Sequence, residues 1–166
     1  EPKSIEINKM KRLNAFVKVA RDDPRVGHLE SIDCMWAGRC KRLANGEVDK
    51  LSARCVLRGD IHAKKYNLDT NERHACVSRN TSIDACDCVS ALREQDCTPA
   101  DVTGAYMHGN QTESECVLAR PPTGFREWDE RGVEILWLYI VPLYGKGDAG
   151  AIWNRTINAI VEENEE

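Results

Sequence analysis

Two strand-like segments around Asn45-Gly46 constrain the fold of this 166-residue chain more than any other feature. Residues 32–42 and 48–57 alternate apolar with polar or basic side chains, which is typical of strands. Because Asn and Gly both tolerate positive φ, the pair predicts a tight hairpin turn. We therefore expect segments 32–42 and 48–57 to pair antiparallel.

A helix is expected upstream of this hairpin. Ser4 fits its N-cap, and Asp22-Asp23-Pro24 fits its end. Helical spacing places on one face Met10, Leu13, Val17 and Ala20. Downstream of the hairpin, the polar and irregular segment 59–75 predicts a connecting loop.

A second helix is expected over residues 81–94. Thr81 and Asp84 fit a capping box at its start. Its inward face is predicted to comprise Ile83, Cys86, Val89 and Leu92. A short strand over 98–102 should follow and should pair antiparallel with residues 115–119.

The C-terminal part predicts one more strand and one more helix. Residues 134–141 are apolar and include two aromatic side chains, which favours a strand, and residues 142–150 read as a loop. The last helix should place on one side Ile152, Trp153, Ile157, Ile160 and Val161. Together these elements predict an α+β fold with an antiparallel sheet packed by helices.

Composition favours a globular chain with 42% hydrophobic and 30% charged residues. The longest apolar run, residues 135–143, is far shorter than the ~20 residues of a membrane span. We expect no membrane partner and an intracellular location, in the cytoplasm, virus-like particles or nucleus. The start is polar and lacks an initiator Met, which indicates a piece of a longer chain.

The charge distribution is more informative than the net charge of −4, which alone argues against nucleic-acid binding. Segment 36–59 contains six basic and two acidic residues. A basic hairpin on an acidic domain can still follow a phosphate backbone.

The eight Cys residues form no Cys-x-x-Cys pair and have no His at zinc-site spacing. A free Cys behaves as a small buried hydrophobe. We expect reduced, mostly buried thiols, and a metal or disulfide role remains the alternative.

Residues 99–109 contain the clearest candidate for chemistry. Asp101 follows a short strand-like run and precedes a turn, which is a common way to hold a metal ion at a sheet edge. The competing interpretation is an Asp that caps backbone N–H groups in a turn.

This stretch resembles the Asp-Val-Lys-Thr-Ala-Phe-Leu-His-Gly signature of copia-type retrotransposon reverse transcriptases. Five further segments match family motifs in the family's order. They are Cys34-Met35-Trp36, the Ala-Arg-Cys-Val-Leu-Arg-Gly run at 53–59, Thr81-Ser82-Ile83, the Pro-Pro-Thr-Gly-Phe run at 121–125, and Leu143-Tyr144-Gly145 followed by Trp153. The resemblance covers residues 32–161.

The resemblance implies RNA-directed DNA polymerisation by two-metal nucleotidyl transfer. It assigns residues 1–75 to an N-terminal helix and fingers hairpin, and residues 76–166 to the N-terminal part of the palm, as one partial domain. The implied partners are an RNA template, a DNA primer, deoxynucleoside triphosphates and the rest of the polyprotein, with the remaining palm, thumb and RNase H.

The resemblance also implies roles for individual residues. Asp101 would be a catalytic carboxylate that binds Mg²⁺, and Val102 would offer its carbonyl oxygen to the metal. Arg54 and Arg58, four apart on one strand face, would bind a triphosphate or template backbone; a solvated strand face is the alternative. Tyr106 would lie under the incoming sugar, or it is a core residue behind the turn.

Three departures from the family pattern limit what the chain can do. The family's Lys-Thr becomes Thr103-Gly104, and a Gln expected to seat the nucleotide becomes Asp148. The Tyr-Val-Asp-Asp hairpin with the other carboxylates is absent from these residues. We therefore expect this chain alone to be inactive. A non-catalytic nucleic-acid-binding remnant and a small structural domain remain the alternatives.

Overall fold

The computed structural model describes residues 1–66, 80–98 and 101–163, and these ranges form a mixed α+β domain. Its helices are α1 (Pro2–Arg12), α2 (Gly59–Lys65), α3 (Asn80–Leu92) and α4 (Ala149–Glu163). Its strands are β1 (Phe16–Ala20), β2 (Ile32–Arg42), β3 (Val48–Leu57), β4 (Val117–Arg120), β5 (Glu127–Trp128) and β6 (Glu134–Tyr139). Short 3-10 helices span Ala105–His108 and Glu113–Glu115.

The predicted hairpin is confirmed. Strands β2 and β3 pair antiparallel from Cys34 opposite Leu57 to Arg42 opposite Val48. The turn differs from the predicted geometry, because Gly46 adopts a positive φ of 88° and Asn45 does not. The Gly46 N–H donates to the Leu43 carbonyl at 2.9 Å, so a four-residue turn ends on a left-handed glycine.

The sheet is mixed, with strand order β1-β6-β4-β2-β3 and β5 paired to β6. The predicted antiparallel sheet is confirmed only in part, because β2 and β4 run parallel while the other pairs are antiparallel. Within the described ranges, the ladder between β2 and β4 involves only Ile32 and Asp33 of β2. The rest of the hairpin therefore extends beyond the body of the sheet.

The main core lies between α1 and one face of the sheet. Phe16 of β1 stacks on Trp137 of β6 with ring centroids 4.2 Å apart, and Tyr139 meets Phe16 edge-on. Ile7 and Met10 of α1 are fully buried against this cluster. Burial of each such side chain contributes roughly 1.5–3 kcal/mol, so α1 is an integral part of the fold.

The first helix is shorter than predicted. It begins at Pro2, with Glu1 rather than Ser4 as its N-cap, and it ends at Arg12. Asn14 then adopts a positive φ of 47°, and Val17 and Ala20 belong to β1 instead. Pairing of β1 with β6 gives these residues ladder hydrogen bonds that a helical continuation would lack. Tertiary pairing therefore overrides the local helical spacing.

Two expectations for the middle of the chain are wrong. Part of the predicted loop 59–75 is helix α2, and residues 67–75 lie outside the described residues. Residues Thr98, Asp101 and Val102 are not in a strand, and positions 99 and 100 are not described. The expected partner segment, 115–119, instead contributes to β4, which pairs with β6 and β2.

Helix α3 confirms a predicted helix but not its inward face. It begins at Asn80, so Thr81 lies within the helix rather than before it. Ile83, Val89 and Leu92 are 49%, 46% and 85% exposed, and no residue of α3 is buried. The helical periodicity was sufficient to predict α3. Within the described ranges, however, no other helix or strand packs extensively on the apolar side of α3.

The C-terminal elements follow the prediction more closely. Strand β6 matches the segment expected at 134–141, and α4 buries Ile152 and half-buries Trp153. The last turns of α4 differ, because Ile160 and Val161 are exposed. None of the helices in the described part of the chain is both long and apolar enough to cross a membrane.

Burial of the cysteines is only partly as predicted. Cys34 and Cys55 are buried, and Cys116 is half-buried. Four of the described cysteines are exposed instead: Cys40, Cys86, Cys88 and Cys97. All seven are free thiols, and Cys76 lies outside the described residues.

We predict that Gly145→Ala destabilises the protein far more than Gly124→Ala. Both glycines have positive φ, but a Cβ at Gly145 would lie 2.2 Å from the Leu57 carbonyl oxygen, whereas nothing lies within 4 Å at Gly124. Gly124→Ala, the control, should lower the free energy of unfolding by about 1 kcal/mol through backbone strain. Gly145→Ala should lower it by at least about 2 kcal/mol more. Urea unfolding measures the free energy of unfolding of both variants. Equal decreases would contradict the close approach of the Gly145 and Leu57 backbones.

Candidate functional site

The candidate site is centred on Tyr144, where three distant segments meet. The Arg54 guanidinium carbon of β3 lies 4.9 Å from the centre of the Tyr144 ring, and the Tyr106 ring lies 5.6 Å from it. Lys9 of α1 places its ammonium nitrogen 5.8 Å from the same ring. The structure thus brings together Arg54 and Tyr106, two residues that the sequence predicted separately.

Backbone contacts fix the position of Tyr144. The Leu57 N–H at the end of β3 donates to the Tyr144 carbonyl oxygen at 2.8 Å. A Cβ at Gly59 would lie 2.3 Å from the Gly145 carbonyl oxygen. The chain therefore needs glycine at positions 59 and 145, because the two backbones approach too closely for any side chain.

Arg58 does not share the site with Arg54. It lies after the end of β3, as the residue before α2, and its guanidinium pairs with Asp60 at 2.9 Å. This hydrogen-bonded pair lowers the pKa of the Asp60 carboxyl. The prediction that both arginines lie on one strand face is therefore wrong. Of the two, Arg54 is the one that contacts the Tyr144 ring.

Asp101 and Val102 are exposed and lie outside any strand, directly before a turn at residues 103–104. The Val102 carbonyl oxygen accepts a hydrogen bond from the Ala105 N–H at 3.1 Å, and Gly104 has a positive φ of 76°. This turn leads into the 3-10 helix that carries Tyr106. A carboxylate is a suitable Mg²⁺ ligand, and the Val102 oxygen keeps one lone pair for a second contact.

Metal ligands are sparse around this turn. In residues 1–66, 80–98 and 101–163, no three His, Cys, Asp or Glu side chains lie close enough together to hold a metal ion. A Mg²⁺ ion at Asp101 would therefore need further carboxylates from outside the described residues.

A buried polar cluster follows Tyr144 along the chain, and no sequence pattern predicted it. The Lys146 ammonium binds the Asp148 carboxylate at 2.8 Å, with both residues almost fully buried. The Gly147 N–H donates to Nδ1 of His62, which is 1% exposed and stacks on Tyr66. Asp148, at the position of the family Gln, is thus engaged in a structural ion pair.

The electrostatics of this cluster keep His62 neutral. Burial lowers the pKa of His62 from 6.5 to about 4; the Asp148 carboxylate opposes this shift, and the Lys146 ammonium adds to it. Because Nδ1 accepts the Gly147 hydrogen bond, the ring proton resides on Nε2. His62 and Gly147 are 85 positions apart in the sequence, so no spacing rule could have predicted the contact.

Comparison with known proteins adds no assignment. The chain matches no protein-family model, and it has no significant match among curated proteins or solved structures.

We predict that His62 makes the protein less stable as the pH falls from about 6.5 to 4. In this window the unfolded chain binds a proton at His62 and the folded chain does not, so acidification favours unfolding. His62→Gln should remove this part of the pH dependence, whereas His28→Gln, at an exposed position, should leave it unchanged. Urea unfolding at several pH values measures the slopes, and equal slopes in all three proteins would contradict the prediction.

Proposed function

We propose that this chain is the fingers and N-terminal palm portion of a copia-type reverse transcriptase, which acts in RNA-directed DNA polymerisation as part of a longer polyprotein. Six motifs in the family's order support the proposal. The mixed α+β fold with a projecting basic hairpin is compatible with it.

The meeting of Arg54 and Tyr106 at Tyr144 is the observation that carries the proposal. The resemblance alone assigns Arg54 to the triphosphate and Tyr106 to the sugar, although the two residues are 52 positions apart in the sequence. A nucleotide needs both contacts at once, so the two side chains must lie close together in space. Their shared contact with Tyr144 supports the proposal.

Each residue would have a distinct task. The Arg54 guanidinium would bind phosphate oxygens through charge-assisted hydrogen bonds. The Tyr106 ring would form the floor under the deoxyribose and disfavour a 2′-hydroxyl by its bulk. Asp101 would hold Mg²⁺, and two such ions in the complete enzyme would activate the primer 3′-hydroxyl and stabilise the leaving pyrophosphate.

Catalysis requires further residues. Two-metal phosphoryl transfer depends on carboxylates that bridge both ions, and Asp101 alone supplies one. The remaining pair is expected on an Asp-Asp hairpin that residues 1–166 do not contain. We infer that the chain alone does not polymerise. Sequencing the parent transcript beyond Glu166 for a Tyr-x-Asp-Asp motif tests this assignment.

A nucleic-acid-binding remnant without catalysis is the second candidate, and the basic hairpin favours it. Filter binding of this chain to an RNA–DNA primer–template, repeated across salt concentrations, tests nucleic-acid binding directly. A steep loss of affinity with salt indicates phosphate contacts. A flat, weak response would leave only a structural role for the hairpin.

We predict that Asp101→Asn abolishes nucleotide incorporation in a chain extended through the Asp-Asp hairpin. The substitution keeps the shape but removes the charge that binds Mg²⁺, so incorporation should fall by at least about a thousandfold. Primer extension with Mg²⁺ measures the rate. Asp96→Asn, another exposed carboxylate in the described part of the chain, is the matched control and should retain activity.

Near-normal incorporation by the Asp101→Asn variant would overturn the catalytic assignment. Asp101 would then be a turn residue that begins the segment leading to Tyr106. Thermal unfolding of the variant, compared with the parent protein, establishes that any loss is not a loss of fold.

A further inference from the structure

A small cavity of about 180 Å³ lies between α2, the 3-10 helix Glu113–Glu115 and the start of α4. Six polar or aromatic side chains line it: His62, Tyr66, Ser114, Glu115, Asp148 and Arg155. Its volume corresponds to roughly six water-sized groups, which is enough for a small organic molecule. Neither Arg54 nor Tyr106 lines the cavity, so it is separate from the proposed nucleotide site.

The buried carboxylate of Asp148 is only half satisfied. Asp148 is 7% exposed, and its Oδ2 accepts a hydrogen bond from the Lys146 ammonium at 2.8 Å. Its Oδ1 is also buried, but it has no hydrogen-bond partner among the described residues. A buried carboxylate oxygen without a donor is costly. A ligand that brings an N–H group into the cavity would supply the missing donor.

His62 provides the complementary group. Its Nδ1 accepts a hydrogen bond from the Gly147 N–H at 3.3 Å, so the ring proton resides on Nε2. No hydrogen bond formed within residues 1–66, 80–98 and 101–163 uses this Nε2–H. The cavity therefore has one unused acceptor, on Asp148, and one unused donor, on His62, and both side chains are almost fully buried.

The charges around the cavity cancel one another. The Lys146 ammonium neutralises Asp148, and the Arg155 guanidinium pairs with Glu115 at 3.0 Å. His62 is uncharged at neutral pH because burial lowers its pKa to about 4. In the part of the chain that the structure describes, no three His, Cys, Asp or Glu side chains could hold a metal ion. A neutral ligand therefore fits the cavity better than an anion or a cation does.

We propose that this cavity binds a small neutral ligand through a primary carboxamide group. The amide N–H would donate to Oδ1 of Asp148, and the amide oxygen would accept from the His62 Nε2–H. A carboxylate would instead place a like charge beside Asp148, and an ammonium group has no oxygen for His62. The Tyr66 ring and Ile152 line the cavity and would contact the apolar part of the ligand. This binding role goes beyond the proposed polymerase function and does not depend on it.

Titration of the chain with four ligands of nearly the same shape tests the proposal. Benzamide carries the carboxamide, acetophenone lacks its N–H groups, benzoate is an anion and benzylammonium is a cation. Benzamide should bind, and each of the other three should bind at least about tenfold more weakly, the factor for loss of one hydrogen bond to a charged group. Because only the ligand changes, misfolding cannot produce this order. Absence of benzamide binding, or equal affinities for benzamide and acetophenone, would overturn the proposal.

A matched pair of substitutions on α4 locates the ligand. Ala151 lines the cavity, so Ala151→Leu should fill part of it and weaken benzamide binding by at least about tenfold. Ala159→Leu makes the same change at an exposed position of α4 outside the cavity, and it should bind like the parent protein. Unchanged affinity in Ala151→Leu would place the ligand elsewhere and overturn the proposal. The NMR shift of the Gly147 amide proton, which should move when benzamide binds to the parent protein, locates the ligand without any substitution.

A further titration identifies the source of the carboxamide, which occurs both in free small molecules and in the glutamine side chains of peptides. Tighter binding of benzamide than of N-acetylglutamine methylamide supports a free small molecule, and the reverse order supports a peptide glutamine. Both orders support the carboxamide site. Since none of these experiments involves Asp101, Mg²⁺ or primer extension, their failure is distinguishable from failure of the proposed polymerase role.

Discussion

The backbone contact between Leu57 and Tyr144 is the constraint on which the rest of this structure depends. It joins the end of the hairpin to the loop before α4, two parts of the chain separated by 87 positions. Because Gly59 and Gly145 have no side chains, these backbones approach closely enough for a direct hydrogen bond. The contact places the Tyr144 ring beside Arg54 and, on the other side of the loop, seats Gly147 against His62.

Local sequence signals predicted the hairpin correctly, whereas a long-range strand pairing explains why the end of the first helix was predicted wrongly. The β2–β3 pairing depends on residues close in sequence and on a turn glycine, so its bounds could be inferred. Val17 shows the opposite case: its helical spacing from Met10 is real, but β1 gains a partner in β6 that lies more than a hundred residues away. No short stretch of the sequence indicates that β1 pairs with such a distant strand.

The same reasoning applies to the site. Arg54 and Tyr106 lie in segments that resemble family motifs, whereas only the fold shows that Tyr144 is their common neighbour. Lys9 belongs to a segment with no motif. Arg58 shows the limit of spacing arguments, since the strand ends one residue before it and its side chain turns to Asp60.

Lys9 connects the two charged regions of the molecule. It lines a cleft between α1 and the basic hairpin, and it also lines a shallow cleft with Thr103 and His108, which follow Asp101. Positive charge therefore continues from the hairpin along α1 to the turn that carries Asp101, although the chain as a whole is acidic. Local potential in a concave site depends on nearby charges more than on the net charge.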